Sequence, residues 1–489
     1  MPAVVETTIP RSRFEATGER PAAAGMSASP TDPIAVDSLM PSEWAGTSAA
    51  ARCAWVRRFR DVLVARADEL LQHVEAEVHK PRWEALTSDL LPLLAACKWH
   101  ERHAPRLLRG RSCRGGAWWS LGQSHRIGRA PLGRVGIIAT WNYPVQLLGV
   151  QLVQALVAGN DVVVKPSERS PRTQAMLLEI AQQAGLPAGT LRTYAATREA
   201  GQEMLAHERL DHLMFTGSTS VGREIAAIAA SRLLPTTLEL SGRDSAIVLA
   251  DADPSLAARS IWNAVTMNAG QTCMAPRRVL VERSVYHAFV SQLARLAAGA
   301  GPRRLIDPGA ARECYELSCE AVAAGGRSLS GVLEAPRADA LVPLAIADCP
   351  RDAALISGRH FGPVLAVAPV SDVDDALRLH AEASEGHVLA TAVFTRDVRG
   401  ADRLASRLGS AIVTVNDCVV PTGDPRVSIS GRGPSGWGPS RGEAGLLALT
   451  RPVHIARTST WFRLPLTVPT SAAADRIGRF MLRRYETRR

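Results

Sequence analysis

Arg134-Val135-Gly136-Ile137-Ile138-Ala139-Thr140-Trp141-Asn142-Tyr143-Pro144-Val145-Gln146-Leu147-Leu148-Gly149-Val150-Gln151-Leu152-Val153-Gln154-Ala155-Leu156-Val157-Ala158-Gly159-Asn160-Asp161-Val162-Val163-Val164-Lys165 is the stretch that decides the fold. Its apolar density invites a membrane-spanning reading, but Asn142, Pro144, Gln146, Gln151, Gln154, Asn160 and Asp161 interrupt it too often for a bilayer core. A strand, a turn, a helix and a second strand fit better. The first apolar run ends at Ile138, and Pro144 fixes a turn. Gln146, Gln151 and Gln154 then share one helix face while Leu147, Leu148, Leu152, Val153 and Leu156 fill the rest. Two such strands, apolar throughout, belong to a parallel sheet covered on both faces.

Working outward, the alternation continues. Thr173 to Gly185 reads as a helix closed by glycine, Leu191 to Ala195 as a strand, Ala200 to His207 as a helix and His212 to Phe215 as a strand. A second alternating unit follows, with strands at Ala246 to Leu249 and Arg278 to Val281 and helices at Leu256 to Ala269 and Val285 to Ala298. Residues 299–350, with Gly-Gly, several prolines and weak periodicity, give no clear element. Beyond them Val373 to Leu379 reads as a helix, and Ala390 to Phe394 and Ala411 to Val415 as strands. The pattern is that of an α/β protein built on parallel sheets.

Several segments carry chemistry. Cys273 stands in Met267-Asn268-Ala269-Gly270-Gln271-Thr272-Cys273-Met274-Ala275-Pro276, where a small-residue turn can bring a thiol close to a ligand. Glu239, a lone carboxylate among apolar neighbours in Thr237-Leu238-Glu239-Leu240, is placed to take a proton from a thiol or a water if its site is partly dry. Asn142, at a strand end before Pro144, is a candidate donor to an oxyanion. Lys165 and Glu168 lie just past a buried strand, and Phe215-Thr216-Gly217-Ser218-Thr219-Ser220-Val221-Gly222 is a glycine-bracketed turn into a helix that can face phosphate. Taken alone, each has a plainer reading: a buried small hydrophobe, a strand-end ion pair, an ordinary turn.

Together and in this order, these segments resemble the aldehyde dehydrogenase superfamily over about residues 40–460. Phe361-Gly362-Pro363-Val364-Leu365 and Gly445-Leu446-Leu447-Ala448-Leu449-Thr450-Arg451-Pro452 look like two further landmarks of that family. The resemblance implies a Rossmann-type cofactor domain over 36–117 and 131–239, a second α/β catalytic domain over 240–425, and a β-strand oligomerisation arm from 118–130 and 450–462. It implies Cys273 as nucleophile, Glu239 as general base, and Asn142 with the backbone N–H of Cys273 as the oxyanion hole. Lys165 and Glu168 match positions that hold the adenosine ribose; Gly217, Ser218 and Gly222 match the turn beside the pyrophosphate, and Trp141 and Phe361 are further cofactor-side positions. The implied activity is oxidation of an aldehyde to the acid with NAD or NADP, by a homodimer or homotetramer. Trp141-Asn142-Tyr143-Pro144, Val415-Asn416-Asp417 and Gly433-Pro434-Ser435-Gly436 lean toward the class 3 branch, which includes fatty and aromatic aldehyde oxidisers.

Two positions depart from the pattern. Where the family usually carries a glutamate for the nicotinamide ribose, two residues before Phe361, this chain has Arg359, and Ser241 stands where glycine is usual. Arginine cannot accept hydroxyl protons, so a raised Michaelis constant for the cofactor or slowed hydride transfer is expected. Two alternatives follow: a degenerate member acting as scaffold or sensor, or an acyl-thioester reductase. Glu239 argues against coenzyme-A-acylating relatives, which typically lack it.

Composition frames the rest. Apolar residues make up 46% and charged residues 21% of the 489, as in globular proteins with sizeable cores. Residues 1–35, rich in Pro, Ala, Ser and Thr, read as a disordered arm, with no secretory signal evident. The net charge is +10, yet only three of the 57 basic residues are lysine, at 80, 98 and 165, so a lysine kept at a strand end suggests a need for a compact ammonium. Residues 463–489 form a basic tail in which Arg476, Arg479, Arg483, Arg484, Arg488 and Arg489 accompany Ile477, Phe480, Met481 and Leu482. It reads either as a solvated helix or as a basic amphipathic one lying on an anionic membrane. No basic face is interleaved with aromatics, so nucleic acid is not expected as a partner. Eight cysteines without Cys-x-x-Cys spacing or partnering histidines suggest reduced thiols in a cytoplasm and no metal site.

Overall fold

In the computed structural model the described residues are 42–461, less 115, 117–119 and 121, together with 472–483 and 485. The expected arm over 1–35, Trp118 and Trp119, and residues 463–471 of the tail lie outside them. Arg134–Lys165 folds as strand Arg134–Ile138, a turn, helix Gln146–Ala158 and strand Asp161–Lys165, with the strands parallel and Arg134 opposite Asp161. The helix is buried on every side, so its glutamines face protein rather than water.

These two strands sit inside a six-stranded sheet ordered Gly436–Trp437, Thr236–Leu240, His212–Gly217, Arg134–Ile138, Asp161–Lys165, Leu191–Thr193. All neighbours are parallel except Gly436–Trp437, which runs antiparallel to Thr236–Leu240 and brings the late glycine-rich run back to this sheet. From Arg134–Ile138 the chain first builds outward on one side and then returns to build on the other. The strand order therefore reverses between Arg134–Ile138 and His212–Gly217, and the carboxyl ends of those strands flank a crevice, the usual ligand position in open α/β sheets. Helices Ala49–Ala65, Leu91–Leu108 and Pro171–Gln183 pack with Gln146–Ala158 in one core around Trp55, Phe59, Leu93 and Leu156.

The second sheet has seven strands ordered Arg327–Ser328, Leu344–Ala347, Val364–Val370, Pro276–Glu282, Asp244–Val248, Ala390–Phe394, Ile412–Val415, parallel except at Arg327–Ser328. Pro276–Glu282 is the middle strand, which places Cys273 at its entrance, over apolar layers on both faces of the sheet. A third sheet joins Arg111–Cys113, Gln123–Pro131 and Thr450–Thr458 antiparallel, with Gln123 opposite Thr458 and Pro131 opposite Thr450.

Two elements differ from the sequence reading. The helix expected to run to Ala269 ends at Thr266, because Asn268 and Ala269 take left-handed backbone at φ 52° and 51° and start a tight turn. The unassigned stretch 299–350 contains the sixteen-residue helix Pro308–Ala323, with Asp307 capping it by accepting from Gly309 N–H at 2.8 Å.

Candidate active site

The cysteine loop is shaped from both ends. At its start Asn268 leaves the helix with its N–H on Glu84 Oε2, at 2.8 Å, while its side-chain amide reaches the carbonyls of Asn142 and Gln271, at 2.8 and 3.1 Å. Gly270 has φ +69°, and a Cβ there would lie 2.4 Å from the backbone of Gly362, so only glycine lets this loop lie against the Phe361-Gly362-Pro363 turn. Past it, the buried Arg277 guanidinium donates to the carbonyls of Gly270 and Thr272, at 2.8 and 2.7 Å. Thr272 also shares a 2.6 Å hydrogen bond with the Tyr143 hydroxyl, tying the cysteine loop to the turn that carries Asn142.

Asn142 is buried, its Nδ2 donating to Gln271 O at 3.1 Å and its Oδ1 accepting from the Thr140 hydroxyl at 3.3 Å. Glu239 comes from the strand Thr236–Leu240, and Gln151 Nε2 donates both to its Oε1 and to Thr216 Oγ1, at 3.1 and 3.0 Å. Cys273, Glu239, Asn142, Trp141, Gly217, Ser218 and Phe361 all line one cavity of about 600 Å³. Its apolar wall near the thiol is Met274, Leu389 and Ile429, which with Ala390 behind them form the cluster against which Cys273 packs. Trp141 and Phe361 meet edge to face at 6.0 Å between ring centres. Burial first, and the Glu239 charge second, push the Cys273 thiol up to about 11, while Arg441 and Arg277 pull it down.

The cavity opens on the N-terminus of helix Thr219–Ser231 through Ser218, Thr219 and Ser220. Ser218 caps that helix, accepting from Val221 N–H at 3.4 Å, and the remaining unpaired N–H groups with the positive end of the helix dipole suit a pyrophosphate. Gly222 lies outside the cavity lining. A Cβ there would come 2.6 Å from Leu240 Cδ2, so its role is close helix–strand packing. Lys165 and Glu168 are also outside the lining; the buried Lys165 donates to Glu168 Oε2 at 2.9 Å, and the pair forms a small polar shelf past its strand end. The donor set, helix end and glycine packing fit a dinucleotide.

Arg359 and His360 both line the cavity. Arg359 is held by Glu385, which also accepts from Arg243 at 2.8 Å, and the two guanidiniums keep the Glu385 carboxyl below its ordinary range, at about 2. His360 is buried, and desolvation with Arg277 and Arg278 nearby holds its pKa well below the ordinary value.

Other residues of the site were not picked out from the sequence. Gln151 supports Glu239, and Gln154 grips the Arg441-Gly442 segment, accepting from Arg441 N–H at 3.0 Å and donating to Gly442 O at 3.2 Å. Arg441 lines the cavity with φ +60° and ψ 169°, a conformation costly for a residue with a side chain. Beneath the Asn142 turn lie Lys80, Glu84 and Asp89, from a helical region with no motif. The one available signal was the rarity of lysine.

Fold and cavity define the class: an α/β protein in which a dinucleotide-type sheet at a topological switch faces a second parallel sheet that presents a cysteine. The chain belongs to the aldehyde dehydrogenase family, whose family model matches residues 33–455. It is 32% identical to NADP/NAD-dependent aldehyde dehydrogenase PuuC of Escherichia coli, over 80% of this chain and 81% of that one. It is 28% identical to 4,4'-diapolycopene aldehyde oxidase of Methylomonas, over 82% and 77%. Among solved structures, a Mycobacterium tuberculosis aldehyde dehydrogenase complexed with NAD+ superposes with a TM-score of 0.78 at 27% identity, over 86% and 87% of the two chains. An NADP-dependent glyceraldehyde-3-phosphate dehydrogenase from Bacillus halodurans complexed with NADP gives 0.79 at 27%, over 85% and 88%.

Proposed function

We propose that this protein oxidises a fatty or aromatic aldehyde to the carboxylic acid with NAD or NADP, through a thioester on Cys273. The observation that carries the reading is the convergence of Cys273, Glu239 and Asn142 in one cavity that also reaches Gly217, Ser218, Trp141 and Phe361. The apolar wall of Met274, Leu389 and Ile429 supports an apolar substrate body.

Glu239 takes the thiol proton, and the Cys273 sulfur attacks the aldehyde carbon. The negative charge that moves to the carbonyl oxygen is met by the second N–H of the Asn142 amide and the backbone N–H of Cys273. When NAD or NADP is bound it accepts the hydride that leaves as this adduct collapses. The acyl group stays on Cys273 as a thioester. Glu239 then releases that proton to solvent and, again a carboxylate, takes a proton from water, which adds to the thioester carbon and expels the thiolate, giving the carboxylic acid. Gln151 keeps the carboxylate aimed at both tasks. Lys165 and Glu168 would hold the adenosine ribose, and the Ser218 end of its helix the pyrophosphate.

No helix among the described residues is long and apolar enough to cross a membrane. A cytoplasmic dimer or tetramer is proposed, pairing through the exposed edge strand Thr450–Thr458, with the tail touching anionic membrane. One observation favours a second reading, a member with weak activity: Arg359, paired with Glu385, stands where a ribose-binding glutamate is usual.

The test is NADH or NADPH formation against a panel of aliphatic and aromatic aldehydes, with Cys273→Ala alongside. Turnover that drops at least a thousandfold in the variant supports the covalent route. No turnover by the wild type despite cofactor binding favours the weak-activity reading.

A further inference from the structure

Both buried lysines of this arginine-rich chain lie beside the site: Lys165 at the shelf and Lys80 beneath the Asn142 turn, while Lys98 is exposed. Lys80 follows helix Ala67–Val78, whose last turn is closed by His79 in left-handed backbone at φ 58°. Its side chain is wholly removed from solvent, an expensive place for an ammonium unless every proton is used. Two go to hydrogen bonds, with Asp89 and with the carbonyl of Asn142 at 3.0 Å, and the Tyr143 ring face lies 3.8 Å from the nitrogen and favours its charge. Asp89, on a π-helical turn spanning Leu86–Leu90, uses its other oxygen to accept from the N–H groups of Val145 and Gln146, both at 3.1 Å. It thereby caps helix Gln146–Ala158 from outside.

The ion pair therefore grips the turn Asn142-Tyr143-Pro144-Val145 at both ends, Lys80 by the first carbonyl and Asp89 by the last amide. The Asn142 carbonyl also accepts from Asn268, whose own N–H rests on Glu84 of the same helical region. The turn and the cysteine loop are thus referenced to one buried point. A guanidinium is too broad to meet a carboxylate, a carbonyl and a ring face from so small a space, which accounts for lysine here.

We propose that Lys80, paired with Asp89, is a positioning residue that sets the Asn142 amide where the oxyanion forms. The inference rests on the roles given above to Asn142 and Cys273. A catalytic amide loses its value with sub-ångström displacement, because preorganisation is what makes the hydrogen bond count in the transition state.

The test is a double-mutant cycle of Lys80→Met against Asn142→Ala, read by the pre-steady-state burst of NADH and by the dissociation constant of NADH. Lys80→Met leaves Asp89 buried and unpaired and can fail to fold. Lys80→Met/Asp89→Leu removes both charges together, which cores tolerate far better, and is run in parallel. Expected is a burst rate lowered 10- to 100-fold in whichever Lys80 variant folds, NADH affinity within twofold of wild type, and no further loss once Asn142 is alanine. A full, multiplicative loss in the Asn142→Ala background overturns the proposal, as does a wild-type burst in a folded Lys80 variant. An unchanged burst in Asn142→Ala alone overturns the assignment of Asn142 itself, and the positioning role with it.

Discussion

Cys273 sits in a pocket that resists its ionisation. A thiol pushed up to about 11 leaves roughly one molecule in ten thousand as thiolate at pH 7, so reactivity depends on a proton acceptor and on nearby cations. Alkylation of Cys273 by iodoacetamide in the cofactor-free protein is expected to rise about tenfold per pH unit between pH 7 and 10. A plateau below pH 8 would show the thiol to be far more acidic than its surroundings imply. Arg441 is one of two guanidiniums lowering that value, so Arg441→Met is expected to slow alkylation several-fold at any fixed pH in this range, measured by mass spectrometry of the labelled peptide. At this scale Cys273, Glu239 and Asn142 could be singled out from the sequence only together, since each alone reads as a small buried hydrophobe, a strand-end ion pair or an ordinary turn, and it is their order along the chain that resembles a family pattern. Lys80, Asp89, Gln151 and Arg441 could not be, because their meaning comes only from contacts across long sequence separations.

At the scale of elements, local pattern predicted the strand–helix alternation well, since buried parallel strands read as unbroken apolar runs. It failed at Asn268 and Ala269, where Glu84 and Asn142 stabilise a left-handed turn that helix periodicity cannot foresee. Helix Pro308–Ala323 was passed over although Asp307-Pro308 is a start signal, because its apolar stripe is weak. The segment from Gly358 to Phe361 carries the main functional departure. Its Arg359–Glu385 pair is exposed, so it contributes little to stability and its removal is tolerable. Arg359→Glu combined with Glu385→Gln is expected to lower the Michaelis constant for NAD about three- to tenfold with an unchanged melting temperature. An unaltered Michaelis constant would mean that the nicotinamide ribose is held by other groups.

For the whole molecule, the basic tail is the feature that bears on partners. Helix Ala472–Arg483 exposes Phe480 and Leu482 along with Arg476, Arg479 and Arg483, a mixture suited to the boundary of an anionic bilayer. The full chain is expected to sediment with phosphatidylserine-containing vesicles at low salt and to be released at high salt, and a chain lacking residues 470–489 to stay in the supernatant. Equal binding by both would move the membrane contact elsewhere.

The antiparallel strand Gly436–Trp437 bears on how this protein comes into being. It closes the edge of the first sheet against Leu238 and Glu239, although Trp437 lies 201 residues beyond Thr236 of that strand. A ribosome therefore releases the strands of that sheet long before their last neighbour exists, and the edge at Thr236–Leu240 stays open through most of the synthesis that remains after it is made. Pairing at so great a sequence separation is slow, and an open edge is sticky. The base of the site is thus the last piece to be sheltered, and nascent chains halted before residue 436 should be the ones that chaperones hold.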